Sequence, residues 1–215
     1  MNAPARRTYT SAVRDDRARA TRRCIVDAAA ELFRRDGYAA TTIDAIAAAA
    51  GVSRKTVFSV GGSKFTLLKN AFDWSLVGDD EPIAMEEREP VQRIIATTDP
   101  VEAVRLWAEM ITDTASRAAP MGAVLVAAAQ VDPDAAAMLR TSDAHRLAGA
   151  RAFIAHLDSI GGLRAGLDRA EAADLCWLAM GHEPYQRLVI QRGWPRERYR
   201  RWLTAAVGRE LLSDD

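Results

Sequence analysis

Residues 41–69, TTIDAIAAAAGVSRKTVFSVGGSKFTLLK, constrain this chain more than any other stretch. Thr41 followed three positions later by Asp44 reads as a capping box, with Asp as a shorter stand-in for Glu. Ile43, Ile46, Ala47 and Ala50 then share one helical face that must pack against something. Gly51 ends that helix cheaply, because glycine takes a positive φ without steric penalty. Two residues on, Ser53 can cap a new helix whose first turn is Arg54, Lys55 and Thr56. Ser63 can cap a third helix, with Lys64 just inside it. Two helices across so tight a turn read as a helix-turn-helix, with a polar, cationic first turn placed to meet base edges and phosphates of double-stranded DNA.

The charge distribution agrees. The 215 residues carry no net charge, yet residues 1–70 hold 13 Lys+Arg against 6 Asp+Glu. That is +7, and the remainder balances it at −7. A basic headpiece on an acidic body points only the first third at a polyanion. Cys24 and Cys176 have neither metal-ligand nor disulfide-framework spacing and fit a reducing cytosol. No apolar run approaches the roughly 18 residues of a membrane span, and no signal-peptide core opens the chain, so the expected location is cytoplasmic.

In chain order, residues 1–16 are expected to be a flexible basic arm. Its Arg6, Arg7 and Arg14 suit either a phosphate backbone or plain solvent. A helix is expected over 17–35, with Ile25, Ala28, Ala29, Leu32 and Phe33 inward and Asp36-Gly37 ending it; Tyr38 helps close a three-helix core. The helix over 63–77 begins in the headpiece and ends in the body. An acidic, proline-punctuated connector covers 78–99, with a helical turn near 91–96. Asp99-Pro100 caps a further helix, Pro120 opens another to about 130, and Asp132-Pro133 begins one that reaches about 160. Asp168 caps a helix ended by Gly193 and kinked at Pro184. The last helix has Pro195 near its start and an apolar stripe over 199–207.

The run from 25 to 68 resembles the DNA-binding domain of the tetracycline-repressor (TetR) family. The resemblance rests on Ala28-Ala29 with Leu32-Phe33, Gly37-Tyr38, Thr41-Thr42-Ile43, Ile46-Ala47, Ala50-Gly51-Val52-Ser53, Thr56, and Ser63-Lys64 with Leu67-Leu68. The run from Glu183-Pro184-Tyr185 to Trp202-Leu203 resembles a C-terminal pattern of the same family. The resemblance implies an all-α homodimer, usually a repressor, whose variable C-terminal domain binds a small molecule and lowers DNA affinity. It implies DNA contacts from Thr41, Thr42, Ser53, Arg54, Lys55, Thr56 and Phe58, and a phosphate contact from Lys64 at a helix N-terminus. Two positions depart from the pattern. Phe58 stands where the family usually has a tyrosine whose hydroxyl reaches a phosphate, and Val60-Gly61-Gly62 replaces a His-Phe pair, which is expected to loosen the link into the following helix.

No enzymatic constellation accompanies this. His145 and His156 share a face but lie about 16 Å apart along a helix, too far for one metal ion. No phosphate loop or nucleophile–base motif stands out, and neither enzyme activity nor a cofactor is expected. Trp74, Trp107, Met110, Met121, Leu125, Phe153 and Trp177 are candidates for an effector pocket, with Glu109, Asp113 or His182 as polar anchors; core packing is the plainer reading of each. Leu175, Leu178, Tyr185, Leu188, Tyr199, Trp202, Leu203 and Ala206 form apolar stripes suited to a two-fold four-helix interface. The sequence therefore describes an all-α regulator: an arm (1–16), a helix-turn-helix domain (17–62), and a ligand-binding and dimerisation domain (63–215). Its partners would be an inverted-repeat operator and a small effector, the alternative being a DNA-binding regulator that senses no small molecule.

Overall fold

The computed structural model describes residues 6–213, with side chains described from residue 16 onward. The expected contacts of the arm's Arg6, Arg7 and Arg14 therefore fall outside the described side chains. Among the described residues the α-helices are α1 Arg6–Asp36, α2 Ile43–Ala49, α3 Arg54–Thr56, α4 Lys64–Val77, α5 Glu89–Ala96, α6 Pro100–Ala128, α7 Pro133–Ser159, α8 Arg169–Ala179, α9 His182–Tyr185 and α10 Arg196–Leu211. α3 and α9 each continue into a wider π-helical turn, Val57–Gly61 and Gln186–Gln191. No strand forms among the described residues, and none of their helices is long and apolar enough to cross a membrane. The chain divides into two compact units, Met1–Asp73 with Val124–Ala136, and Trp74–Ala123 with Ala137–Asp215.

In the first unit, α1 begins well before residue 17, since nothing between Arg6 and Arg17 breaks a helix. Its inward face places Ile25, Val26, Ala29, Leu32 and Phe33 in a closed core with Ile46 and Ala47 of α2, Val57, and Leu67 and Leu68 of α4. The cap of α2 falls one residue later than the capping-box spacing suggests, and no reciprocal box closes, because the residue three on is Ala45. Thr42 is the cap of α2 and accepts from the Ala45 N–H, whereas Thr41 is buried and donates to the Gly37 carbonyl at 2.8 Å. Asp44 is thereby free to turn away and pair with Arg54. Ser53 caps α3 through the Thr56 N–H, and Ser63 caps α4 through the Thr66 N–H, both at 3.1 Å.

The joint between α3 and α4 is tight rather than loose. A Cβ on Gly61 would lie 2.9 Å from both Ile25 and Leu67 side chains, so α1 and α4 close on bare backbone there. Gly62 has φ +86°, a conformation that strains any other residue, and a Cβ there would meet Thr66 at 3.0 Å.

The same unit contains a link no local pattern announces. The Tyr38 hydroxyl donates to Asp132 Oδ2 at 2.5 Å across 94 positions. Asp132 also caps the start of α7, its Oδ1 accepting from the Asp134 and Ala135 N–H groups. Lys64 Nζ stands 4.4 Å above the Tyr38 ring and donates to the Ala39 carbonyl at 3.2 Å.

In the second unit, three departures from the expected helices have simple causes. α6 is one helix running through Pro120, where a new helix was expected to open. An interior proline costs about 3 kcal/mol or more. Burial of Ala118, Ala119 and Met121 on either side of it offsets that cost. The expected kink at Pro184 is instead a break at Gly181, the residue before α9. Pro184 then lies in the first turn of α9, where its missing N–H would have had no partner. The connector is more ordered than expected: a 3-10 turn covers Met85–Glu87, and Pro90 sits in the first turn of α5. Trp107 and Phe153 stack at 5.0 Å in a core shared with Cys176, Tyr199, Leu203 and Leu211. Asp168 caps α8 as expected, through the Ala170 and Glu171 N–H groups.

The Tyr38–Asp132 bond makes a stability claim. Asp132's carboxyl is held below its ordinary range, first by the Tyr38 hydroxyl and then by backbone N–H groups and Lys64, against the opposing effect of burial. A lowered folded pKa stabilises above the unfolded value and is lost as pH falls through the folded value. Tyr38→Phe should cost about 1.5–3 kcal/mol near neutrality, as for a hydrogen bond to a charged group. Urea denaturation should show the wild-type and mutant difference narrowing once pH falls below about 3.9, the ordinary aspartate value. A difference independent of pH would show that the bond is not to a carboxylate.

Candidate nucleic-acid interface

The helix-turn-helix presents α3 on the outside of the first unit. Ser53, Arg54, Lys55 and Phe58 are exposed, Thr56 is half-buried, and Val57 is fully buried behind them. This follows from the sequence: with Ser53 fixed as cap, Val57 is the first residue of the segment that reaches the core, and Arg54, Lys55 and Phe58 must point away. Ser53 Oγ, which caps the turn, also lies 2.8 Å from Thr56 Oγ1, a side-chain hydrogen bond beside the cap.

The cations of this face are not equivalent. Arg54 is paired with Asp44 at 2.8 Å and lies 5.6 Å from the Phe58 ring, so its guanidinium is oriented along the face. Lys55 is exposed and has no ion pair among the described residues. Lys64 is half-buried, and burial lowers its pKa while Asp132 opposes that. Its contacts with the Tyr38 ring and the Ala39 carbonyl fix its ammonium beside the turn between α1 and α2. Of the eight residues expected at DNA, seven are at least partly accessible; Thr41 is 3% exposed and turned inward. Tyr38, Asp44 and Asp132, which position Arg54 and Lys64, were not singled out as site residues from the sequence. Only their charge and the core position of Tyr38 were visible there.

The candidates in the second unit do not gather around one cavity. Trp107 and Phe153 stack on each other, and Met121 is buried. Trp177 donates through Nε1 to the Asp143 carbonyl at 3.2 Å, and Trp74 is half-buried. Leu125 belongs to the first unit and is fully buried there. Met110 lines a surface groove of about 450 Å³, together with Glu109 and Asp113, two of the three expected anchors. The third, His182, packs against Gly122, and burial lowers its pKa. No three His, Cys, Asp or Glu side chains among the described residues are grouped to hold a metal ion.

The expected interface residues divide in two. Leu175, Leu178 and Trp202 are exposed, with Leu178 at 63%, and Leu188 and Ala206 are half-buried. Tyr185, Tyr199 and Leu203 are enclosed in the core of their own chain, because their stripe already faces Trp107 and Phe153. Ile190, which was not singled out, is also exposed, at 48%.

Comparison with known proteins fits this architecture. Residues 25–70 match the family described as bacterial regulatory proteins, tetR family. Among curated proteins no sequence matches. Solved structures similar to the chain include a fatty acid degradation regulator from Bacillus halodurans, at 15% identity, TM-score 0.67, covering 86% of this chain and 93% of that one. A transcriptional regulator from Saccharomonospora viridis, in complex with choline, aligns at 18% identity and TM-score 0.67 over 89% and 97% of the two chains. NalD, the secondary repressor of the MexAB-OprM multidrug efflux pump in Pseudomonas aeruginosa, aligns at 19% identity and TM-score 0.65 over 92% and 100%. At such identities these neighbours establish the fold, while the sequence match covers the helix-turn-helix itself. Residues 25–70 thus carry the helix-turn-helix of the tetR family of bacterial regulatory proteins, and Ser53, Arg54 and Lys55, at the exposed start of α3, lie inside that match.

Proposed function

We propose that the protein is a homodimeric repressor that reads an inverted-repeat operator with α3 and is released from it by a small organic ligand bound in the second unit. The observation that carries this reading is the presentation of α3. A first turn capped by Ser53 holds Arg54 and Lys55 outward, over a core closed through Gly61. Lys55 and Arg54 act at base edges, and Lys64 acts on a phosphate at the N-terminus of α4. Phe58 offers an exposed ring in place of a hydroxyl, so it contributes apolar contact and orients Arg54. Residues 17–62 form the DNA-binding part and 63–215 the sensing and dimerising part, with α4 common to both. The choline complex of one neighbour and the repressor role of another support a ligand-relieved repressor on this fold.

The effector site is assigned to the groove that contains Met110, in preference to the stacked Trp107 and Phe153. Coupling runs through α4, whose first turn holds Lys64 and whose last turn, at Leu76 and Val77, lines the groove. It cannot exceed the ligand's differential affinity for the two dimer states, typically about 1–3 kcal/mol, and it is reciprocal. The dimer is assigned to the exposed faces of α8 and α10, where Leu175, Leu178 and Trp202 would otherwise remain in water.

Two measurements test this. With fluorescence anisotropy on operator DNA, Lys64→Ala should weaken binding to all sequences and lower the salt slope by about one per protomer. Lys55→Ala should instead relax discrimination at particular base pairs, each worth about 1–3 kcal/mol. Uniform weakening by both would remove direct readout from α3. In sedimentation, Leu178→Asp should raise the dimer dissociation constant at least about thirtyfold, the equivalent of roughly 2 kcal/mol at an interface hot spot. Because Leu178 is outside the protomer's core, an unchanged dimer would assign the interface elsewhere.

A further inference from the structure

The groove's hydrogen-bonding capacity is unevenly filled. Its carboxylates on α6 are occupied: Glu109 accepts from Arg105 at 2.9 Å, and Asp113 is paired with Arg196. Of its guanidinium groups, those of Arg88 and Arg93 are paired and that of Arg117 is not. Arg88 gives both terminal nitrogens to Asp79, at 2.8 and 3.1 Å, and Nη2 also donates to the Glu81 carbonyl at 3.3 Å, so only its buried Nε is left without an acceptor. Arg117 has no ion pair among the described residues, and its one hydrogen bond runs from Nη2 to the Leu76 carbonyl at 3.0 Å. A guanidinium has five N–H donors, so most of Arg117's remain available. Glu87 and Glu89 lie on the exposed rim, and Glu89 is 3.5 Å from Arg93. Between these groups the lining is apolar, with Leu106 and Met110 on α6 and Val91 on α5. A cationic ligand finds one carboxylate without an ion pair among the described residues, the exposed Glu87, and would otherwise have to break existing pairs. An anionic one finds unused charged donors beside an apolar wall.

Resting on the assignment of the effector site to this groove, we propose that it binds an amphiphile with a single anionic head group, seated on Arg117, with its apolar part along Leu106, Met110 and Val91. Arg117 already holds the last turn of α4 through Leu76, so the head group acts one hydrogen bond away from the end of that helix. The anion need not displace the Leu76 carbonyl, because the two occupy different N–H groups of one guanidinium.

Isothermal titration of the full chain with sodium dodecanoate, below its micellar concentration, tests this against dodecyltrimethylammonium and dodecanol. Dodecanoate should bind once per chain and more tightly than either other probe. Arg117→Gln should weaken dodecanoate at least about tenfold, as for loss of a charge-assisted contact, and leave dodecanol unchanged. Val91→Glu, which puts a carboxylate into the groove from an independent position, should weaken dodecanoate and not dodecyltrimethylammonium; circular dichroism checks the fold of both variants. Should dodecanoate bind in this way yet leave operator affinity unchanged, the groove assignment stands and release by ligand fails. Should another compound release the operator while dodecanoate does not bind, release stands and the anionic assignment is overturned. Tighter binding of dodecyltrimethylammonium, or native-like dodecanoate binding by both variants, overturns it equally.

Discussion

The hydrogen bond from Tyr38 to Asp132 makes the first unit whole. Helices α1 to α3 with the first ten residues of α4 form a small core, and below a certain size burial alone gives little margin. Residues Val124–Ala136 complete it, joined by this bond and by the attraction between Asp132 and Lys64. The bond serves several elements at once. It holds the turn that leads into α2, it shares Asp132 with the cap of α7, and it places the Tyr38 ring under the ammonium of Lys64. A carboxylate from far along the chain thus faces Lys64 and opposes the lowering of its pKa by burial.

That arrangement explains what could and could not be read from the sequence. The three-helix core, the cap at Ser53 and the exposure of Arg54 and Lys55 follow from local rules: helical spacing, a positive-φ glycine and side-chain caps. The one-residue shift of the α2 cap was not legible, because Thr41 and Thr42 are equally good caps and burial chose between them. Nor was the tight fit of Gly61, since two adjacent glycines read as freedom until Ile25 and Leu67 are seen closing on the first of them. Tyr38 with Asp132 was invisible for the plainest reason. A contact across 94 positions leaves no periodicity.

The second unit was read less well. Large apolar residues at helical spacing carry no label for core, pocket or interface. Trp107 and Phe153 proved to be core, Leu178 surface and Met110 groove wall, although all four sit in similar sequence contexts. Helix ends were misread where proline was taken as a breaker on its own. Pro120 is tolerated inside a buried helix, and Pro184 merely follows a break that Gly181 makes. Glu109 and Asp113 were picked out as polar anchors, but their charges are already taken by Arg105 and Arg196, and that is knowable only from side-chain partners.

The central claim is that two copies of α3, held at a fixed separation, read one palindromic DNA site. Footprinting of the protein on DNA flanking its own gene tests it most directly. The account expects two protected half-sites related by inversion, with centres about one helical turn, roughly 34–36 Å, apart or a multiple of it. A single asymmetric footprint, or no protection at concentrations that saturate non-specific DNA, would contradict it.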